Sequence, residues 1–432
     1  MEVREARAAY ATLPMEPACV TPPGYKQTEA GLIPEDWEVR ALYSLVRSHN
    51  SGIYKSQALY GHGCNIVGVS DIYGIEKIDG QHFAHVPLSS QERAKHTLRC
   101  NDLLYGESSL VREGIARTVY VTEQGADTAF AWHTRRYSID QRLLLSSYLY
   151  YYLQSRPARA HMISRSIQTA ITGINTVAYF ACPTIVPSYA EQEAIAEALS
   201  DADALIESLQ QLIAKKCQIK QGAMQALLSG KQRLPGFSNE WATRRLGDLA
   251  ALSKASINPQ LMPEIIYTHF SLPAFDEGAL PAVEPGVAIE SNKFVVPKDA
   301  VLLSKLNPRI PRVWAPDVIL VNSICSTEFL VLVPRPEVSR EFFGVICRSP
   351  MVSAQMELHA VGTTGSHQRI HPTQALHIEV VIPVDKNEQA AISTILTDMD
   401  TELAELETRL AKTRELKQGM MQALLTGRIR LV

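Results

Sequence analysis

No stretch of this chain is apolar for the ~18 residues that span a bilayer, so a membrane-spanning protein is not expected. The segment Met1 to Thr21 scatters charges among alanines and lacks an apolar run followed by a small-residue cleavage site. A signal peptide is therefore not expected either, and the cytoplasm is the default location. The seven cysteines (Cys19, Cys64, Cys100, Cys182, Cys217, Cys325, Cys347) are far apart and none forms a Cys-x-x-Cys pair. This argues against a zinc finger or a disulfide framework, and reduced thiols are expected. An excess of positive charge is missing too: the net charge is −3. Net charge averages away local potential, however, and phosphate binding needs only a local basic face.

Enzyme motifs are also lacking. An adenine methyltransferase needs a glycine loop for its cofactor and an Asn/Asp-Pro-Pro-aromatic motif. The nearest stretches, Asn258-Pro259-Gln260 and Asn307-Pro308-Arg309, lack the second proline. A phosphate loop of the Gly-x4-Gly-Lys-Ser/Thr type is absent, because Gly230-Lys231 is followed by Gln232. Magnesium-dependent cleavage needs clustered carboxylates beside a lysine. Asp317 has no such neighbours, and Glu415-Leu416-Lys417 lies in a helical pattern. His359, His367, His371 and His377 form the one tight histidine group, and their spacing suits hydrogen bonding or surface positions better than a metal. No cofactor, metal or catalytic residue is expected.

What the chain does contain is itself, twice. Glu191-Gln192-Glu193-Ala194-Ile195 matches Glu388-Gln389-Ala390-Ala391-Ile392, 197 residues on. At the same offset, the segment from Lys220 to Gly230 matches that from Lys417 to Gly427, differing only at Ala223/Met420 and Ser229/Thr426. Between these anchors apolar residues recur in steps of four and three: Ile392, Leu396, Met399, Leu403, Leu406 and Leu410, against Ile195, Leu199, Ala202, Ile206, Leu209 and Ile213. This is a heptad seam in the same register in both copies. Each copy predicts a long helix that stops near a glycine, Gly230 or Gly427. A helix from Glu191 to Leu228 would be about 57 Å long at ~1.5 Å per residue. Matching seams in one chain predict pairing of the two helices, and two-fold pseudo-symmetry favours the antiparallel arrangement. The alternative is that each helix packs only on its own domain.

The repeat extends beyond the helices. Ile33-Pro34-Glu35-Asp36-Trp37 and the following residues resemble the stretch around Trp241, 204 residues on. Thr172-Gly173 and Thr364-Gly365 sit before apolar strands that end in Pro187 and Pro383. The middles, residues 50–165 and 253–360, share little beyond a buried strand signal, Leu103 to Gly106 and Val301 to Ser304, each before a basic loop. They mix strand-like runs (Arg117 to Thr122, Val318 to Val333) with helical ones (Leu143 to Gln154, Arg340 to Glu357). The fold class is α+β: two pseudo-symmetric mixed α/β domains separated by two long helices that form an antiparallel coiled coil.

The Glu-Gln start, the helix ending in Lys-Gln-Gly-x-Met-Gln-Ala-Leu-Leu-Ser/Thr-Gly and the Ile-Pro-Glu-Asp-Trp opening resemble the specificity subunit of Type I restriction–modification systems, over residues 23–432. The resemblance implies a non-catalytic, sequence-specific DNA-recognition subunit with two target-recognition domains. Each would read one half of a bipartite double-stranded DNA target. The coiled coil would set the gap between the halves and dock two methyltransferase subunits, which endonuclease/translocase subunits join. The assembled complex would be a site-specific deoxyribonuclease and adenine methyltransferase. Residues 1–22 lie outside the resemblance as an N-terminal extension. The expected division is residues 23–190 and 231–387 for the recognition domains, with helices over 191–230 and 388–432. A non-DNA coiled-coil scaffold and a piece of a fused restriction enzyme or methyltransferase are the alternatives.

The resemblance carries no universal base-contact motif, so contact residues come from local charge and repeat position. Between His133 and Arg165 six arginines face one acid, Asp140, and between Lys298 and Arg312 four basic residues face Asp299. The DNA-contact candidates are Arg112, Arg117, Arg135 and Arg136 in the first domain and Lys305, Arg309, Arg312 and Arg369 in the second. Arginine and lysine suit guanine edges and phosphates. The matching loops Thr172-Gly173 and Thr364-Gly365 could offer backbone N–H groups to phosphate.

Overall fold

Leu103-Leu104-Tyr105-Gly106 has no charged residue, as suits a strand covered on both faces. A computed structural model of the chain places all four residues out of solvent, in the middle of a five-stranded sheet. The structure describes residues 21–316, 318–362 and 367–432. They form two compact units, one of residues 21–208 with 410–432 and one of residues 209–409. The unit boundaries fall inside the long helices.

In the first unit the strand order is Val46–Ser51, Thr134–Ile139, Leu103–Gly106, Thr118–Val121, Lys77–Ile78. The last pair is parallel and the others antiparallel. In the second unit an antiparallel sheet runs Ala250–Ser253, Phe329–Pro334, Val301–Ser304, Val313–Trp314. The first four strands of one sheet correspond to the four of the other in order and direction, although their sequences share little. A second, smaller pairing also repeats: Glu38–Ala41 with Pro183–Val186, and Trp241–Arg245 with Glu379–Pro383. The units differ in the neighbouring sheet, which has three strands in the first and five in the second.

Two helices follow the sheet in each unit: Ser146–Tyr152 then Arg156–Arg165, and Arg340–Cys347 then Pro350–Leu358. The run Arg340 to Glu357 reads as one helical stretch in sequence, but it is two. Ser349 caps the second helix on Val352 N–H and Pro350 takes its first turn, where proline's missing N–H costs nothing. The helix Ser146–Tyr152 is held by its tyrosines. The Tyr148 and Tyr152 hydroxyls donate to the carbonyls of Ile185 and Pro183, at 3.2 and 2.6 Å, so a polar tip can sit in an apolar core. Burial pushes the thiols of Cys182, Cys325 and Cys347 up to about 12.

The long helices are Tyr189–Leu228 and Lys386–Leu424. At ~1.5 Å per residue each is about 60 Å long. Their starts match as their sequences do. The backbone N–H of Gln192 donates to the Ser188 carbonyl and that of Gln389 to the Asp385 carbonyl, and serine and aspartate are both favoured helix N-caps. Within the first unit Ile195 and Leu199 share a core with Leu424 and Leu425. Within the second, Ile392 and Leu396 share one with Leu227 and Leu228. The ion pairs described below give the same direction, so in each unit the two helix segments run antiparallel. Away from these ends the seam thins. Leu209 is buried, Ile206, Ile213, Met399, Leu403, Leu406 and Leu410 are half-buried, and off-seam Leu205 and Leu212 are exposed.

Candidate nucleic-acid interface

The buried central strand of each unit runs on into a loop that pairs with a later segment of the same unit. In the first, Ser108–Ser109 pairs with Thr172–Gly173, which pairs with Ile167–Gln168. In the second, Leu306 and Val361 bridge Arg369, and Asn307 N–H donates to the Gln368 carbonyl at 2.7 Å. The tertiary structure therefore pairs segments far apart in sequence that carry the candidates: the segment leading to Arg112 with Thr172 and Gly173, and the segment leading from Lys305 to Arg309 with that of Arg369. Thr364 and Gly365 lie outside the described residues.

The arginines differ in what holds them. Arg112 and Arg309 are exposed, and Lys305 is half-buried with its backbone N–H on the Glu328 carbonyl. None of these three side chains has an acidic partner among the described residues. Arg117 donates to the carbonyls of Ile72 and Ile75 and reaches Glu76 at 3.3 Å. Arg135 pairs with Glu107 at 2.7 Å. Arg136 donates to the Thr97 carbonyl at 3.0 Å, stands 3.7 Å from Asp102 and lies over the Phe130 ring. Arg312 forks onto Asp276, and Arg369 onto Glu328. Thr172 is buried in its strand. The engaged guanidinium groups tie loops to the sheet, while Arg112 and Arg309 project from it.

In each unit the Glu-Gln pair ties the start of the long helix to the segments packed against it. Gln192 accepts from Leu145 N–H and donates to the Leu143 and Pro187 carbonyls. Gln389 accepts from Ser339 N–H and donates to those of Glu337 and Pro383. Glu191, 2% exposed, takes Trp37 Nε1 at 3.0 Å and Arg430. Glu388, fully buried, takes a fork from Arg233 at 2.7 and 2.8 Å. Arg430 and Arg233 lie 197 residues apart, three after Gly427 and Gly230, and each covers the tryptophan ring of its unit. Both glycines have positive φ. A Cβ on Gly427 would meet Pro34 at 2.4 Å, and one on Gly230 the Trp241 ring at 3.2 Å. The sequence reading missed these arginines, although the offset of 197 that marks Glu191 and Glu388 also marks them.

The same offset relates two ion pairs across the helices. Asp203 meets Lys417 at 2.5 Å in the first unit, and Lys220 meets Asp400 in the second, where Lys216 also meets Glu402 at 2.6 Å. The seam turns polar at Lys216 and Lys220 because acids on the opposing helix receive them. Such pairs set register and direction. A double-mutant cycle on Lys220→Ala and Asp400→Ala should show coupling of about 0.5–1 kcal/mol, since both groups are partly exposed. Additive losses in chemical denaturation would show that the pair contributes nothing to register.

No family model matches the chain. Over 242 residues, 52% of this chain, it is 26% identical to a Methanocaldococcus jannaschii protein named putative type I restriction enzyme MjaX specificity subunit. It spans 55% of that protein, about half its length. Among solved structures, it is similar to the S subunit of a Type I restriction–modification system from M. genitalium, with a TM-score of 0.58 at 15% identity, covering 90% of this chain and 96% of that one. A structure from work on complex assembly and conformational transition of the type I R-M system gives 0.51 at 14% identity, covering 92% and 99%.

Proposed function

We propose that this chain, which has the fold of the Type I specificity subunits, is the DNA-reading subunit of a Type I restriction–modification complex. One observation carries the reading: two units repeat the same sheet order and the same Glu-Gln and arginine clasps while presenting different loop residues at the same place. A constant frame with variable loops suits one kind of partner met twice and two different sequences read once each. The frame, built from the near-identical helix ends, docks two methyltransferase subunits. Endonuclease/translocase subunits join that core, and the assembly cleaves DNA and methylates adenine while this chain does neither. Each unit reads one half of a bipartite duplex target. Arg112 and Arg309 are the first base-reading candidates, with Lys305 beside them. Arg117, Arg135, Arg136, Arg312 and Arg369 support the loops and can meet phosphate with their remaining donors, and the N–H groups of Thr172-Gly173 and Thr364-Gly365 do the same. In this role the chain works in the cytoplasm.

The helices set the gap between half-sites. Four residues inserted after Gln211, and four after Arg409 so that both helices lengthen together, add about 6 Å at ~1.5 Å per residue. DNA rises ~34–36 Å per 10–10.5 base pairs, so the preferred gap should lengthen by one or two base pairs with both half-sites unchanged. Methylation by the complex reconstituted with methyltransferase subunits, on targets differing only in gap, is the measurement. An active insertion variant that keeps the original gap would remove the ruler role. Methyl transfer by the pure chain alone would overturn the non-catalytic reading.

A further inference from the structure

In the first unit the three-stranded ribbon of Ser108–Ser109, Thr172–Gly173 and Ile167–Gln168 ends in apolar side chains turned to solvent. Leu110 is 88% exposed, Val111 60%, Ile167 64% and Ile171 50%. The pairing of Ser109 with Thr172, continued by one residue, sets Leu110 opposite Ile171. The base of the ribbon is firmly held. The Tyr73 hydroxyl donates to the Ser108 carbonyl at 2.7 Å, Ile174 N–H to the Glu107 carbonyl, and Val111 N–H to the buried Ser109 hydroxyl. The tip is therefore presented by an anchored support rather than left over from a loose loop. Clustered apolar tips on a polar surface mark a contact.

Arg112 follows the tip directly, and Arg165 precedes the ribbon's last strand. Both are exposed, and neither has an acidic partner among the described residues. Glu113, also exposed, keeps the net charge of the tip low. Base edges then matter more here than phosphate attraction. In the second unit the equivalent loop carries Pro308, Arg309 and Ile310. A docking partner common to both units would need a common surface, and these tips differ. The occupant must differ between the two halves, as the halves of a bipartite DNA target do.

Resting on the DNA-reading function above, we propose that the first unit inserts this ribbon tip into the major groove and reads a thymine through its 5-methyl group, with Leu110 and Ile171 forming the apolar contact and Arg112 reading an adjacent guanine. A β-ribbon fits the major groove, where the thymine methyl is an apolar landmark and arginine forks onto guanine O6 and N7.

The test uses the complex reconstituted with its methyltransferase subunits and a duplex whose site has been found by mapping methylated adenines. Each thymine of each half-site is replaced, one at a time, by deoxyuridine, which removes the methyl and keeps the pairing. One position in one half-site should show about four-fold weaker binding, the value of one lost methyl contact. Leu110→Ala with Ile171→Ala should abolish that preference while leaving the salt slope and the other half-site unchanged. Arg112→Ala should cost about ten-fold at a neighbouring G·C pair. These side chains are exposed, so the variants keep the core intact, and binding through the other half-site verifies it. Indifference of the wild-type complex to every thymine-to-uracil change, or a preference that survives Leu110→Ala with Ile171→Ala, would overturn the proposal. A wild-type complex with no sequence preference at all would instead overturn the DNA-reading function itself.

Discussion

Replacing Arg233 with alanine is expected to destabilise the second unit by about 3 kcal/mol. The carboxylate of Glu388 is fully buried, and both of its oxygens are held by the Arg233 fork. Among the described residues it has no other hydrogen-bond donor. Removing the guanidinium strands a buried charge, which costs more than the pair contributes. Arg233 is itself 31% exposed, so the loss should sit at the low end of the ~3–5 kcal/mol typical of broken buried pairs. The matching change Arg430→Ala should cost less. Glu191 keeps Trp37 Nε1 and the Ser188 hydroxyl when Arg430 goes, whereas Trp241 Nε1 in the second unit reaches no acceptor. Arg233→Lys should fall between, because an ammonium restores the charge without the fork. Hydrogen exchange at the start of the helix Lys386–Leu424 and along the strand Glu379–Pro383 separates the units' responses. Equal losses for Arg233→Ala and Arg430→Ala would show that the two clasps are not weighted as their partners suggest.

Arg136→Ala should cost the first unit a similar amount, about 3 kcal/mol at neutral pH, and the loss should shrink in acid. Arg136 faces Asp102, which is 3% exposed, and donates to the Thr97 carbonyl. Burial pushes the Asp102 carboxyl above its usual range, and the Arg99 N–H and the Arg136 charge only partly offset that. The folded state thus holds a proton on Asp102 more readily than the unfolded chain does. Stability from this group therefore falls as pH rises from the ordinary carboxylate value through the raised one. Taking Arg136 away raises the folded value further, so the variant's deficit is largest at neutral pH and relieved as the pH drops towards 4. Denaturation midpoints of both proteins across that range make the comparison. A pH-independent deficit would mean that lost packing over Phe130, not the stranded carboxylate, sets the cost. Lost DNA binding in Arg136→Ala would combine lost stability with any lost phosphate contact, while Arg112→Ala, on an exposed side chain, should stay within about 0.5 kcal/mol of the parent stability and act on DNA alone.

Much of the architecture was legible because it is periodic or duplicated. The seams from Ile195 and Ile392 announced two long helices, and the residues from Lys220 and Lys417 announced that their ends are equivalent. Antiparallel pairing followed from symmetry, and Asp203 with Lys417 and Lys220 with Asp400 supply its physical means. The common sheet order of the two middles was not legible. Alternation and burial can be met by many side chains, so the strands Thr118–Val121 and Val313–Trp314 hold the same place with unlike residues.

Candidate contacts divide in the same way. Residue type and local charge, visible in sequence, singled out Arg112, Arg117, Arg135, Arg136, Lys305, Arg309, Arg312 and Arg369 alike. Which of them are held within a unit depends on acids and carbonyls far along the chain: Glu76, Asp102 and Glu107 in one unit, Asp276 and Glu328 in the other. Sequence by itself determined the duplication, the helices and the absence of enzyme motifs, because each is a local or periodic property of the chain. Only the tertiary structure decided that Arg233 and Arg430 close the units and that Leu110, just before Arg112, stands opposite Ile171, because those pairings are made across long loops whose closure no local pattern encodes.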